Sequence, residues 1–215
     1  MTLTVHERAD ITRNNEPVVC GVPLASTDNI TSTANLGIFS SNELPAQFRV
    51  LSRYGGLPSD TDKPIRMLLC DVQVNLPASD SLTLYLKDTG SGTATGSNIA
   101  SETNDHVILS TDSMTVKIRR TGYFNMFDEV WIDTTGDGNA DSQVVSSNST
   151  DGILVHANGK TYSSSNAAPT SITIEENGPL RAVVKVRGYY ADSSGNFLVP
   201  SQGDVGLEYM VRIVA

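Results

Sequence analysis

Short stretches of alternating hydrophobic and polar residues recur along the whole chain, a pattern typical of half-buried β-strands. Alternation or a short β-branched run marks residues 3–7, 16–22, 46–53, 65–75, 81–87, 106–110, 114–118, 127–133, 152–156, 171–176, 181–190 and 205–214. Turn-forming clusters separate them, including 163–166 (SSSN) and 192–196 (DSSGN). Only residues 36–42 suggest a helical turn. The pattern therefore predicts an all-β chain, built as an antiparallel sandwich or barrel.

Composition agrees with many short strands and adds a domain boundary. The 215 residues include 24 Ser, 21 Thr and 17 Gly, which suits polar turns and disfavours a helical fold. This length is enough for one large or two small domains. The clearest shift in composition is a Gly/Ser/Thr tract at 88–101, so we expect a first domain at 1–87 and a second at 88–215.

The charge of the chain excludes several classes of partner. Its net charge is −9, whereas a nucleic-acid-binding surface needs clustered Lys and Arg. The same balance disfavours an anionic membrane surface. No apolar run approaches 18 residues, which predicts no membrane span, and the first residues, MTLTVHE, lack the basic and apolar regions of a secretion signal.

The last residues predict an open sheet edge. Residues 207–215 (LEYMVRIVA) alternate and then stop without a closing turn. Such a strand is an unprotected edge unless another strand covers it. We expect either that the native chain continues past Ala215 or that this edge strand pairs with another copy.

Four separate blocks, in order along the chain, resemble a known family. They are residues 11–24 (ITRNNEPVVCGVPL), 44–53 (LPAQFRVLSR), 63–73 (KPIRMLLCDVQ) and 174–184 (IEENGPLRAVV). The chain is similar to the N-terminal part of the exo-rhamnogalacturonan lyase-like family. The resemblance implies a small N-terminal β-barrel followed by an antiparallel β-sandwich, and we expect that sandwich to be truncated here. It also implies that a catalytic α-helical toroid follows in the family, and this chain has no helix-rich segment to match it.

Candidate catalytic residues are sparse. A lyase needs a base and a cation that stabilises the enolate formed beside a uronate carboxylate. The three histidines, His6, His106 and His156, all lie in strand-like or strand-edge contexts without a neighbouring Arg/Tyr motif. We expect them to have a structural or surface role, and we expect this chain not to be catalytic by itself.

An acidic loop is the one motif that suggests a metal. Asp133, Thr135, Asp137, Asn139 and Asp141 place oxygen ligands around Gly138, with a spacing that resembles a calcium-binding loop. Thr135 is a weak ligand, and Val144 stands where such loops carry Glu. The motif predicts a Ca²⁺ site of low affinity, roughly 10⁻⁴ to 10⁻³ M. The alternative is a plain acidic turn, because tight turns also require Asp, Gly and Asn.

Two further groups of residues leave alternatives open. Tyr123, Phe127 and Trp131 would share one face of a strand, either as a packing surface or as a stacking platform for a sugar ring. Cys20 and Cys70 each lie in an apolar run. They are expected to be buried thiols, or a disulfide if their strands pair.

Two functions from different classes follow. The first is a non-catalytic β-rich region of a pectin or rhamnogalacturonan lyase-like protein, which gives structural support and contacts a plant-type polysaccharide. The alternative is an extracellular structural or adhesive protein that self-associates by strand pairing or strand donation and is stabilised by calcium. Both functions lead us to expect an extracellular or cell-surface location.

Overall fold

Antiparallel strands form nearly all the regular structure in the computed structural model, which describes residues 1–147, 152–200 and 203–215. The all-β prediction is confirmed. Contacts divide the chain into two units, Met1–Ser97 and Asn98–Ala215. This division falls ten residues after the expected boundary at 87/88.

The first unit contains two antiparallel sheets. Its strands are β1 (Thr2–His6), β2 (Arg13–Pro23), β3 (Gly37–Phe39), β4 (Glu43–Leu44), β5 (Ala46–Arg53), β6 (Ile65–Leu76) and β7 (Ser81–Lys87). One sheet has the order β1-β7-β3-β4 and the other β2-β6-β5. A single 3₁₀ turn lies at Ser26–Asp28. The inward residues of both sheets share one buried cluster, which includes Ile38, Phe48, Leu68, Val72 and Leu84.

The expected N-terminal barrel is not confirmed, because the strands of residues 1–97 pair as two separate sheets with open ends. The helical turn expected at 36–42 is wrong, since Gly37–Phe39 is a strand that pairs with β7. Ile38 in this strand is fully buried, so tertiary packing decides the conformation of a segment too short for a clear alternation.

The second unit is a β-sandwich with an added hairpin. Its strands are β8 (Ala100–Glu102), β9 (His106–Ser110), β10 (Met114–Arg119), β11 (Glu129–Ile132), β12 (Ser142–Val145), β13 (Leu154–Ala157), β14 (Lys160–Ser163), β15 (Ser171–Asn177), β16 (Ala182–Tyr189) and β17 (Glu208–Val214). The order β12-β11-β10-β9-β8 forms one sheet, and β15-β16-β17 forms the other.

Alternating side chains from these two sheets meet in one core. Val107, Leu109 and Ile118 from the larger sheet belong to the same buried cluster as Val184 and Val186 from the smaller sheet. The expected sandwich is thus confirmed, with its core between two antiparallel layers. The hairpin β13–β14 is a separate two-stranded sheet, followed by a 3₁₀ turn at Ser164–Asn166.

No helix in the described ranges is long and apolar enough to cross a membrane.

Candidate functional site

A polar cleft of about 570 Å³ opens in the second unit, beside the hairpin β13–β14. Cavities of this volume are typical of small-molecule sites. Its walls come from strand β14, the 3₁₀ turn that follows it, and the turn after strand β16. The lining residues are Leu154, Lys160, Thr161, Ser163, Ser165, Asn166, Asp192, Ser193 and Ser194.

Asp192 anchors one wall of the cleft by closing its own turn. Its Oδ1 accepts hydrogen bonds from the backbone N–H groups of Ser194 at 3.0 Å and Asn196 at 2.9 Å. The Nδ2 of Asn196 also donates to this carboxylate. These bonds, with the Asn196 N–H first, hold the pKa of Asp192 below its ordinary value. The carboxylate is therefore ionised at neutral pH and fixed in direction.

Backbone pairing holds the opposite wall against the Asp192 turn. Ser163 and Ala191 exchange backbone hydrogen bonds of 2.8 and 3.1 Å. Asn166 Nδ2 donates to the Ala191 carbonyl at 3.0 Å, and the Ser163 and Ser165 hydroxyls lie 2.7 Å apart. The buried Ser164 hydroxyl donates to the Phe124 carbonyl at 2.8 Å. Hydroxyl and amide groups are thus placed by rigid backbone contacts, which favours specific recognition.

Lys160 supplies a cation at the rim of the cleft. Its Nζ lies 3.3 Å from Asp192 Oδ2, and 60% of its side chain is exposed. Next to it, Thr161 Oγ1 lies 2.9 Å from His156 Nδ1. Hydroxyl, amide, carboxylate and ammonium groups together can donate and accept hydrogen bonds with a ligand rich in hydroxyl groups, and the ammonium can also meet an acidic group.

The acidic loop uses its carboxylates to bind its own backbone. Asp133 accepts from the N–H groups of Thr135 at 2.9 Å, Gly136 at 2.7 Å and Gly138 at 2.8 Å. Asp141 Oδ1 accepts from the backbone and hydroxyl of Thr134, and Asp137 accepts from the N–H of Asn139.

These bonds, with Gly138 first, lower the pKa of Asp133. Across residues 1–147, 152–200 and 203–215, no group of three or more His, Cys, Asp or Glu side chains is arranged to hold a metal ion. The Ca²⁺ site at Asp133, Thr135, Asp137, Asn139 and Asp141 stays a prediction.

His106 is part of a charge cluster that its sequence context did not indicate. Its Nε2 lies 2.7 Å from Oδ2 of Asp128, whose side chain is 1% exposed. Arg119 donates through Nε and Nη2 to Oδ1 of the same carboxylate, at 3.2 and 2.8 Å. Burial alone would raise the pKa of Asp128, but the bonds from His106 and Arg119 outweigh it and lower that pKa. Arg119 lies at the end of strand β10. The sequence pattern alone could not show that this strand places Arg119 beside Asp128.

Tyr123, Phe127 and Trp131, which were expected on one face of one strand, do not lie on a single strand. Strand β11 begins at Glu129, and the backbone before it turns, with a φ of 69° at Met126. Tyr123 lies under the Arg119 guanidinium, 4.6 Å from it. Trp131 donates its Nε1–H to Glu129 at 2.9 Å. Alternation therefore does not align these rings into a platform.

The residues of the polar cleft were identified from sequence only as turns. Their sequence signal is the two turn-forming clusters 163–166 and 192–196, where Ser, Asn and Asp do form turns. Their meeting depends on the isolated bridge between Ser163 and Ala191, a contact between residues distant in the chain. No local pattern encodes such a contact.

Known proteins similar to this chain include one family and several solved structures, two of which are given below. The family model described as "PcRGLX-like protein central beta sandwich domain" matches residues 99–215. A protein in glycosyl hydrolase family 38 from Enterococcus faecalis is 13% identical, with a TM-score of 0.48 over 86% of this chain and 24% of that chain. An alpha-mannosidase from Enterococcus faecalis V583 is 16% identical, with a TM-score of 0.41 over 86% of this chain and 23% of that chain. This chain spans about a quarter of their length. No curated protein matches the sequence.

Proposed function

Because the chain belongs to the PcRGLX-like family, whose central β-sandwich domain matches residues 99–215, we propose that it is a non-catalytic β-rich region of a rhamnogalacturonan lyase-like protein. Its role is to support the fold of that protein and to contact a plant-type polysaccharide. The family match, which covers more than half of the chain, is the observation that carries this proposal.

The polar cleft supports the part of the proposal that concerns the polysaccharide. It lies inside the matched residues, and its fixed hydroxyl and amide groups suit the hydroxyls of a sugar. The exposed ammonium of Lys160 suits a uronate carboxylate, which alternates with neutral sugar in rhamnogalacturonan. We therefore expect binding to depend on Lys160 and to weaken with salt.

Isothermal titration with rhamnogalacturonan oligosaccharides tests this role. Lys160→Ala removes one charge-assisted hydrogen bond, so we expect affinity to fall about tenfold. The matched control is Lys63→Ala, which removes an exposed lysine of the first unit that pairs with its neighbour Asp62. A neutral dextran of equal length should not bind.

The same preparations should release no unsaturated uronate from rhamnogalacturonan, measured by ultraviolet absorbance. Failure of wild-type protein to bind the acidic oligosaccharides, or equal affinity in Lys160→Ala, would contradict the polysaccharide role. A steady release of unsaturated product that is lost on mutation of His106 would contradict the non-catalytic role.

A second candidate function is self-association, which one feature of strand β17 favours. This strand ends the sheet order β15-β16-β17. The backbones of Ala182 and Ala215 donate hydrogen bonds to each other. In an antiparallel pair every second residue bonds in the same way, so the other odd-numbered residues of β17 also bond to β16. The backbone groups of Glu208, Met210 and Arg212 consequently point away from the sheet, and such an edge can accept another strand.

Light scattering after size-exclusion chromatography tests this candidate. An antiparallel pair centred on Met210 would set Glu208 of each copy opposite Arg212 of the other, which is a favourable charge arrangement. Met210→Pro removes an outward N–H, so it should abolish a concentration-dependent dimer that Met210→Leu retains. Wild-type protein that is monomeric at all concentrations, with and without calcium, would rule out the candidate.

A further inference from the structure

Cys20 and Cys70 lie directly opposite each other on the neighbouring strands β2 and β6. Opposite residues of an antiparallel pair carry their side chains on the same face, with Cα atoms about 4.5–5.5 Å apart. Disulfides require Cα atoms about 4.4–6.8 Å apart. The backbone of the first unit thus already holds both cysteines at a spacing that a disulfide can bridge.

The two thiols also share the wall of a small cavity. This cavity of about 130 Å³ lies between the edge strands β1 and β2, and apolar side chains such as Leu3, Val18 and Val72 complete it. Unfilled space beside these residues reduces the repacking that a change of their side-chain rotamers would require. A tightly packed core would resist that change.

The two thiols differ in a way that fits sequential reaction. Cys20 is partly exposed, whereas Cys70 is fully buried. Cys70 donates its S–H to Cys20, which lowers the pKa of the Cys20 thiol. That hydrogen bond, followed by burial, raises the pKa of the Cys70 thiol. The thiolate is the reactive form of cysteine, so its lower pKa makes Cys20 the better nucleophile. Cys20 is also the more accessible of the two.

We propose that Cys20 and Cys70 form a redox-active pair, which closes to a cross-strand disulfide on reaction with a small-molecule disulfide. In the first step the Cys20 thiolate attacks one sulfur of that disulfide, forms a mixed disulfide and expels one thiolate. In the second step Cys70 loses its proton and attacks Cys20 Sγ, which expels the second thiolate. Two protein thiols are oxidised, and one small disulfide is reduced to two thiols.

Exposure of the reduced, folded protein to oxidised glutathione tests the pair. We expect peptide mapping without reductant to yield a peptide that links Cys20 to Cys70 within a monomer, with loss of two hydrogen atoms. Because the bond closes a loop of about fifty residues, the melting temperature should rise by on the order of 10 °C and fall back with dithiothreitol.

Single variants separate the two roles. Cys70→Ser should stop at a glutathione adduct on Cys20, whereas Cys20→Ser should stay unmodified because Cys70 is buried. Wild-type protein alone keeps the test decisive if a variant does not fold. Two unreacted thiols, a persistent glutathione adduct or a disulfide between molecules in the wild-type protein would overturn the proposal.

Discussion

At the scale of single residues, one buried carboxylate joins the ends of neighbouring strands. Asp128 is almost fully buried but binds two cationic side chains, His106 and Arg119. Such a charge is tolerated only while its partners remain, since an uncompensated buried charge is costly. The cluster therefore joins strands β9 and β10 to the start of β11.

Replacement of Asp128 by Asn should reveal this dependence. The amide keeps the shape of the carboxylate but leaves Arg119 without a counter-charge. We expect a loss of about 2 kcal/mol in the free energy of unfolding, seen as a fall of roughly 5–10 °C in melting temperature. Glu102→Gln, which breaks the exposed pair with Arg120, should change stability by less than about 0.5 kcal/mol. Equal effects of the two variants would show that Asp128 has no special role.

Glu7 should make the first unit sensitive to acid. Its carboxylate accepts the N–H groups of Ser79, Ala9 and Ile11, and these bonds, Ser79 first, lower its pKa from 4.5 to about 2. Because the pKa is lower in the folded state, this stabilisation is present above pH 4.5 and is lost as the pH falls towards 2.

The stability difference between wild type and Glu7→Gln should therefore shrink across that acidic range. Denaturant midpoints at a series of pH values measure it. Glu16→Gln, which changes a more exposed carboxylate near the same Arg13, is the matched control. A constant difference for Glu7→Gln would contradict the assignment.

At the scale of elements, alternation or a short run of apolar and β-branched residues made many strands predictable. Ala46–Arg53, Ser81–Lys87 and His106–Ser110 have the predicted bounds. The sequence did not reveal β3, β4, β8, β12 and β14, which have two to four residues each, because such short strands show no period. They exist because a neighbouring strand supplies their hydrogen bonds. The polar cleft escaped prediction for the same reason, since the contact of Ser163 with Ala191 is not local.

The acidic loop allows a sharp test of the calcium prediction. Three backbone N–H groups depend on Asp133, so Asp133→Ala should lower the melting temperature even in chelator, whereas Asp137→Ala should not. Calcium that binds only the folded state should raise the melting temperature by several degrees at a concentration a hundredfold above its dissociation constant. Asp137→Ala should lose that rise. A melting temperature that stays flat from chelator to saturating calcium would leave the loop as a plain turn.

At the scale of the whole molecule, each unit has its own core, and residues 88–97 of the Gly/Ser/Thr tract belong with the first. The buried clusters of the two units have no residue in common. In the tract, Gly90, Gly92 and Ala94 donate backbone hydrogen bonds of 2.7–2.8 Å to Asn35, Leu36 and Ala46. A Cβ atom at Gly90 would collide with the backbone of Gly37. The shift in composition placed the domain boundary at the start of this tract, but its small residues are needed for close packing as much as for flexibility.

The stability of fragments should therefore depend on where the chain is divided. Fragment 1–97 keeps the bonds donated by Gly90, Gly92 and Ala94, whereas fragment 1–87 leaves their acceptors to water. At about 1 kcal/mol for each bond, fragment 1–87 should melt at least roughly 10 °C lower, measured by circular dichroism. Within fragment 1–97, Thr93→Val removes the hydroxyl that accepts the Phe48 N–H at 3.2 Å and should show part of this loss, while Thr89→Val serves as the control. Equal melting of the two fragments would place the boundary at 87/88, because residues 88–97 would then contribute nothing to the first unit.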